Sequence, residues 1–154
     1  MINGSLLIKT LLSSNWTASN TSNRTPSFSE YYEKRRVNGF DNTDDVLVYN
    51  RVENENPSSV GNLTRQVINR VVVDIRTDVS DLHVNKMLRE VKRLIHTNVN
   101  YIVPGSMSDH STTGQQVIME VISTTPFSNS ENNNTFKNFR RVIELQLTSA
   151  AEGV

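Results

Sequence analysis

The side chains in this chain best suited to catalysis or metal binding are its three histidines, because the sequence contains no cysteine. Without cysteine, disulfides, thiolate zinc sites and cysteine nucleophiles are excluded for this chain. His83 and His96 lie thirteen residues apart on one predicted helix. They therefore point in well-separated directions and cannot share a metal ion from that helix. His110 follows an aspartate in a polar stretch, and we interpret all three histidines as exposed polar residues.

A second combination, Glu90 and Lys92 after Asp74, invites comparison with the acidic residues and lysine of metal-dependent nucleases. In this chain Glu90 and Lys92 fall two positions apart on a helix, so their side chains diverge around it. The sequence has no Gly-x-Ser-x-Gly nucleophile turn and no Gly-Lys-Ser/Thr phosphate loop. It therefore predicts a protein that is not an enzyme and uses no metal or cofactor.

Two groups of basic residues lie next to aromatic residues and form the candidate interaction surface. Aromatic rings can stack on bases while basic side chains hold phosphates. The other interpretation is that the rings pack inside, and the basic residues are solvated or bridge to a neighbouring subunit. We favour it, because 16 basic and 16 acidic residues leave a formal net charge of zero and no global field toward nucleic acid. The candidates are Tyr31, Tyr32, Lys34, Arg35, Arg36, Arg140 and Arg141.

Length and composition indicate a single domain over residues 1–154. Uncharged polar residues concentrate in four predicted long loops, at about 17–29, 54–64, 104–115 and 124–138. The apolar run near the start is interrupted by Lys9 and is too short for a signal peptide or a membrane span. The sequence therefore predicts a soluble protein made in the cytosol, with no membrane partner.

Hydrophobic periodicity predicts two helices and four strands. A short helix begins the chain, strands follow at about 46–52 and 65–76, an amphipathic helix spans about 81–96, and strands follow at 116–123 and 139–148. The stretch 29–36 fits either a helical turn or the start of an edge strand. Apolar residues on both faces of strand 116–123 indicate a central position or an oligomer contact. The polar side of the main helix carries Lys86, Arg89, Lys92 and Arg93, as a solvated face or as the lining of a channel.

These elements predict an α+β fold. An antiparallel or mixed sheet of about four strands packs against one main amphipathic helix, with a short N-terminal helix beside it. The strands are apolar on one face and polar on the other, which places the helices on the apolar face.

The combination resembles the tail-terminator and tail-completion (neck) proteins of tailed viruses. It consists of the N-terminal helix, a polar loop, strand 67–76, helix 84–95 and a closing pair of strands that ends in the run Arg-Arg-Val-Ile-Glu-Leu-Gln-Leu at 140–147. In that family, small subunits form rings, commonly sixfold, at the head–tail joint. Their loops reach into the lumen or toward the neighbouring subunit.

The resemblance implies a virion structural protein, a ring-forming tail terminator or head–tail adaptor that is assembled in the host cytoplasm. Its partners would be further copies of itself and the tail-tube and neck or connector proteins, with nucleic acid at most passing through the ring lumen. The alternative function is a small nucleic-acid-binding protein that uses the basic–aromatic clusters.

Overall fold

The computed structural model describes residues 3–30, 44–55, 66–103, 116–127 and 139–150 of the chain. These residues form two α-helices, one short 3-10 helix and six strands. In chain order the elements are α1 (Gly4–Asn15), the 3-10 helix (Ala18–Thr21), β1 (Ser27–Glu30), β2 (Asp45–Glu55), β3 (Gln66–Thr77), α2 (Asp81–Thr97), β4 (Asn100–Ile102), β5 (Gln116–Phe127) and β6 (Phe139–Ala150). Both α-helices and the four long strands lie where the hydrophobic periodicity predicts them.

The six strands build one mixed sheet in the order β1-β2-β3-β6-β5-β4. β1 runs parallel to β2, and all other neighbouring strands are antiparallel. The sheet curls into a half-barrel, and strand is the dominant secondary structure at about 51%. Because the half-barrel does not close, the sheet keeps two unlike ends, β1 at one and β4 with β5 at the other.

The predicted fold class is wrong. We expected about four strands against one main helix, whereas the sheet has six strands, dominates the fold and packs with two helices. The two missed strands, β1 and β4, contain only four and three residues. Such short segments do not show the alternation of apolar and polar residues by which a strand is recognised. β1 also begins inside the predicted loop at 17–29, where its serines resemble loop composition.

The predicted loop boundaries differ from the structure by only a few residues where the structure describes them. β5 continues to Phe127 and shortens the loop that was expected from residue 124. In the ambiguous stretch 29–36, the first two residues belong to edge strand β1, and residues 31–36 lie outside the described residues. The predicted loop at 104–115 and most of the one at 54–64 lie outside them as well. The single-domain organisation stays a prediction.

α1 packs on the apolar face of the sheet because its apolar residues recur at three- and four-residue spacing. The helix begins after Asn3, whose side-chain oxygen accepts a hydrogen bond from the N–H of Leu6 at 3.2 Å. Gly4 allows the first turn to approach the sheet closely, since a Cβ there would lie 2.8 Å from Cγ2 of Val71. The buried apolar residues of α1 are Leu7, Ile8, Leu11 and Leu12.

α2 packs on the same face of the sheet and joins the same core. Its start is capped by Ser80, whose hydroxyl accepts a hydrogen bond from the N–H of His83 at 3.0 Å. Asp81 in the first turn suits the positive end of the helix dipole. Two titratable residues, His83 and Glu90, belong to the buried side of this helix although both side chains are polar. The buried residues are His83, Val84, Met87, Glu90, Val91, Leu94 and Ile95.

Candidate interaction surface

The β4 end of the sheet is only partly paired. The three residues of β4 lie opposite residues 116–118 of β5. Past them, one further backbone hydrogen bond joins the N–H of Met119 to the carbonyl of Val99 at 2.9 Å. No strand of the described part of the chain pairs with this side of β5 over residues 120–127. An open edge of that length runs for roughly 27 Å at about 3.4 Å per residue.

Large apolar side chains are exposed at this end of the sheet, one within the open edge and two on the adjoining paired part of β4 and β5. The exposed fraction is 64% for Ile102, 43% for Ile118 and 40% for Ile122. Ile102 lies opposite Gln116, and Gln116 precedes Ile118 by two residues on the same face of β5. The two isoleucines are therefore diagonal neighbours within side-chain reach. Ile122 is the extra residue of a bulge that follows Val121. Ile102, Ile118, Ile122 and the open edge at 120–127 are called the edge patch below.

Arg140, a predicted interaction residue, is paired with a buried carboxylate on the outer face of the sheet. Its Nε and Nη2 donate to the two oxygens of Asp74, each at 3.0 Å. Nη2 of Arg76 donates to the same carboxylate at 2.8 Å. The three side chains therefore form an ion cluster that joins β3 to β6, and Asp74 balances part of the positive charge of Arg140.

Arg141 lies on the opposite face of β6, because successive side chains of a strand alternate. Its Nη2 donates to Oδ1 of Asp81 at 2.5 Å, which connects β6 to the start of α2. Phe139 is partly buried against the core. The structure therefore does not bring Arg140 and Arg141 together on one surface. The other predicted interaction residues lie outside the described residues: Tyr31, Tyr32, Lys34, Arg35 and Arg36.

The interpretation of His83 as an exposed residue is wrong. The side chain is buried, and its Nε2 lies 2.6 Å from Oδ2 of Asp44. An ionised carboxylate can only accept, so Nε2 donates in this hydrogen bond. The hydroxyl of Thr77 donates to Oδ1 of Asp44 at 2.7 Å, and Arg24 donates to both oxygens at 3.1 and 3.3 Å. His96 is exposed as predicted, and His110 lies outside the described residues.

Asp44 connects four segments through these hydrogen bonds. It precedes β2, Thr77 ends β3, His83 belongs to the first turns of α2, and Arg24 lies between the 3-10 helix and β1. The backbone carbonyl of Asp44 also accepts a hydrogen bond from the N–H of Ser27 at 2.9 Å. The cluster therefore fixes the short strand β1 and the start of α2 relative to β2 and β3.

Glu90 is buried on α2 and holds the segment after α1. It accepts the backbone N–H of Thr17 at 2.7 Å and Nδ2 of Asn20 at 2.9 Å. Nε and Nη2 of Arg93 donate to its two oxygens at 2.7 and 2.8 Å. The carboxylate is therefore fully partnered, and it attaches the 3-10 helix to α2. This role differs from the nuclease comparison and needs no contribution from Lys92.

The pKa values of both buried carboxyls lie below their ordinary values. Burial by itself raises the pKa of Asp44, but hydrogen bonds from His83, Thr77 and Arg24 outweigh burial and lower that pKa below its ordinary value. Burial likewise opposes ionisation of Glu90. Hydrogen bonds from Arg93, Asn20 and Thr17 lower its pKa overall. In both cases the partners described above cause the shift.

The folded chain is expected to lose stability in acid. Because both pKa values are lower in the folded state, the unfolded chain binds more protons, and the free energy of unfolding decreases as pH falls. The stabilising contribution is complete above the ordinary values of 3.8 and 4.5, and is lost as pH falls through the folded values. Urea unfolding at steps from pH 7 to pH 3 measures the effect. An Asp44→Asn/Glu90→Gln variant should show a flatter pH dependence, and an equally steep one would contradict this assignment.

Among the described residues, no group of three or more histidine, aspartate or glutamate side chains has the arrangement of a metal site. The same part of the chain contains no helix that is long and apolar enough to cross a membrane. The clusters around Asp44 and Glu90 are each centred on a single carboxylate with hydrogen-bond donors around it, which is an arrangement that joins segments.

Comparison with known proteins gives no assignment. No model of a known protein family matches the chain, and no curated protein matches it significantly. Functional inference for this chain therefore depends on its own geometry and on the resemblance noted from its sequence.

Proposed function

We propose that this chain is a structural subunit that joins further copies of itself into a ring in the neck or tail of a virion. The observation that carries the assembly proposal is the edge patch, in which an open strand edge at 120–127 and exposed Ile102, Ile118 and Ile122 occupy the same end of the sheet. Its function is contact between proteins, without a catalytic step, cofactor or metal.

An open strand edge is a template for pairing with another chain, because its N–H and C=O groups lack partners on one side. Proteins that remain monomeric protect such edges with charged residues, proline or a bulge. β5 has a bulge at Ile122 and a proline at 126, which restrict regular pairing to part of the edge. Here the outward residues near the edge include three isoleucines, and Glu120 is the one acidic residue between them. Strand pairing would supply hydrogen bonds, and the isoleucines would supply apolar area that leaves water.

Contact between unlike ends of the sheet leads to a ring. The β4 end is formed by an antiparallel pair, whereas the β1 end is a four-residue strand parallel to β2. A surface near one end that binds a different surface of the next copy gives a heterologous contact, and such contacts close into rings when the rotation allows. The zero net charge means that copies placed side by side around an axis do not repel each other strongly.

The virion assignment is supported by the resemblance to tail-terminator and tail-completion proteins. The elements on which that resemblance depends are α1, β3, α2 and the closing strand β6. We therefore propose a tail terminator or head–tail adaptor whose partners are tail-tube and neck or connector proteins, with nucleic acid at most passing through the lumen. Detection of the chain in purified particles that contain its neighbours tests this assignment, and absence from such particles overturns it.

The edge patch predicts that Ile102→Lys disrupts assembly without unfolding the subunit. A charge at this position would have to be buried in the contact, which is costly, while in the free subunit it stays in water. Leu82→Lys is a matched control, because both residues are 64% exposed and Leu82 belongs to α2, which contributes no residue to the edge patch. Sedimentation velocity should show the wild type and Leu82→Lys as oligomers, and Ile102→Lys as a species of much lower mass. Equal oligomerisation of all three proteins would exclude the edge patch as the contact.

A further inference from the structure

A groove of about 450 Å³ lies between α2 and the 3-10 helix. It belongs to the helix side of the fold and shares no residue with the edge patch. Its volume falls within the range of small-molecule sites, roughly 300–1,000 Å³. Three of the five described residues that line it are basic. The lining residues are Asn20, Lys86, Arg89, Glu90 and Arg93.

The groove carries an excess of positive charge. Glu90 is its single acidic lining residue, and Arg93 already neutralises it through two hydrogen bonds at 2.7 and 2.8 Å. The ammonium of Lys86 donates to the neutral hydroxyl of Ser22 at 3.1 Å. Arg89 is exposed, and its guanidinium makes no hydrogen bond to any described residue. Lys86 and Arg89 therefore contribute two charges that no carboxylate of the described residues balances.

The wall of the groove is fixed before any ligand binds. Glu90 holds Thr17 and Asn20 against α2. In the turn that follows, Ser22 and Asn23 have φ of 55° and 59°. This is a left-handed backbone conformation that residues other than glycine adopt rarely. Such a conformation persists where surrounding contacts determine it. Asn20 is therefore held on the wall formed by the 3-10 helix, and Lys86 and Arg89 belong to the wall formed by α2.

We propose that this groove binds a phosphate group, carried either by a small phosphorylated compound or by a nucleic-acid strand. A phosphate oxygen accepts strong hydrogen bonds from guanidinium and ammonium donors. Lys86 and Arg89 are such donors, and no carboxylate of the described residues balances their charge. The site is distinct from the basic–aromatic clusters that the sequence singles out, and it does not depend on the assembly proposal.

The test is a titration of the whole chain with inorganic phosphate, observed by amide NMR shifts at constant ionic strength maintained with chloride. Shifts are expected to saturate and to centre on residues 20–22 and 86–93. Lys86→Gln/Arg89→Gln should weaken binding at least about fivefold, the effect of losing charge-assisted hydrogen bonds. Lys9→Gln/Arg51→Gln removes the same formal charge from α1 and β2, which contribute no residue to the groove, and should change binding by less than about twofold.

Two results would overturn the proposal. One is the absence of any saturable, phosphate-specific shift in the wild type. The other is equal weakening in both double variants, which would indicate a general effect of net charge. Thermal unfolding by circular dichroism confirms that each variant is folded before its binding is compared, and Arg93 is left unchanged because it neutralises buried Glu90.

A fluorescent single-stranded DNA oligonucleotide distinguishes the two sources of phosphate. If the ligand is a nucleic-acid strand, the oligonucleotide should bind at least about tenfold more tightly than inorganic phosphate. The dependence of log K on log salt should then decrease by about two in Lys86→Gln/Arg89→Gln, one for each lost phosphate contact. If the ligand is a small phosphorylated compound, inorganic phosphate should compete with the oligonucleotide at similar concentrations and the salt dependence should be weak.

Discussion

Asp44→Ala is expected to lower the free energy of unfolding by about 2–6 kcal/mol, because two buried hydrogen-bond donors lose their acceptor at about 1–3 kcal/mol each. The substitution removes the acceptor for His83 and Thr77, which are both buried and have no substitute in the cluster. Each donor then loses its hydrogen bond without regaining water. The contact with Arg24 adds little, because that guanidinium is 42% exposed. Chemical unfolding at neutral pH, with the midpoint and the slope fitted separately, measures the loss.

Asp81→Ala provides the matched control for Asp44→Ala. Asp81 also pairs with an arginine, Arg141, but its side chain is 62% exposed. An exposed pair contributes about 0–1 kcal/mol, and the favourable position at the helix start adds a few tenths more. Burial of the carboxylate is the main difference between the two sites. Equal losses in the two variants, or a loss below about 1 kcal/mol for Asp44→Ala, would contradict the assignment of Asp44 as the residue that joins four segments.

Glu90→Ala is expected to cost about 1–3 kcal/mol, because it removes the acceptor of four hydrogen bonds. The ion pair with Arg93 adds little, since that guanidinium is 43% exposed. The loss should concentrate in one region of the chain. Freed from α2, the backbone at 17–21 should exchange its amide hydrogens faster relative to the core strands. Hydrogen exchange observed by mass spectrometry, together with urea unfolding, measures both effects.

The control for Glu90→Ala is Glu53→Ala. Glu53 is exposed on β2 and accepts one hydrogen bond from Asn50 at 3.0 Å. Its removal should change stability by no more than about 0.5 kcal/mol. Unchanged exchange at 17–21 in Glu90→Ala would show that other contacts hold the 3-10 helix and would remove the argument for a rigid groove.

The sequence predicts the long elements of this fold because each shows its period over many residues. α2 and strands β2, β3, β5 and β6 have at least eleven residues each, enough for alternation or a helical stripe to be visible. Edge strands β1 and β4 are too short to show either, and their pairing depends on partners elsewhere in the chain. The predicted four-stranded sheet therefore lacked both of its ends, and with them the open edge.

The burial of His83 and Glu90 can be predicted from the sequence, but their partners cannot. His83 precedes Met87 by four residues and Glu90 follows it by three, so helical periodicity places both on the buried side of α2. What the sequence did not contain is the identity of their partners. Asp44 lies 39 residues from His83, and Thr17 lies 73 residues from Glu90. Only the packing of α2 against the sheet and the 3-10 helix brings these groups together.

For Arg140 and Arg141, too, the sequence shows the charges but not the partners. Arg140 and Arg141 are adjacent in the sequence, and their basic character suggested a shared surface. In a strand, adjacent residues face opposite sides, so one pairs with Asp74 and the other with Asp81. Local composition identified the charges, but the carboxylates that balance them come from β3 and α2.

The measurement that tests the assembly proposal most directly is the mass of the wild-type chain across a wide concentration range, with negative-stain images of the same samples. The proposal predicts closed rings, alone or stacked, whose mass is a whole multiple of 17.4 kDa and which disappear in Ile102→Lys. A mass of one subunit at every concentration, with no rings in the images, would contradict it.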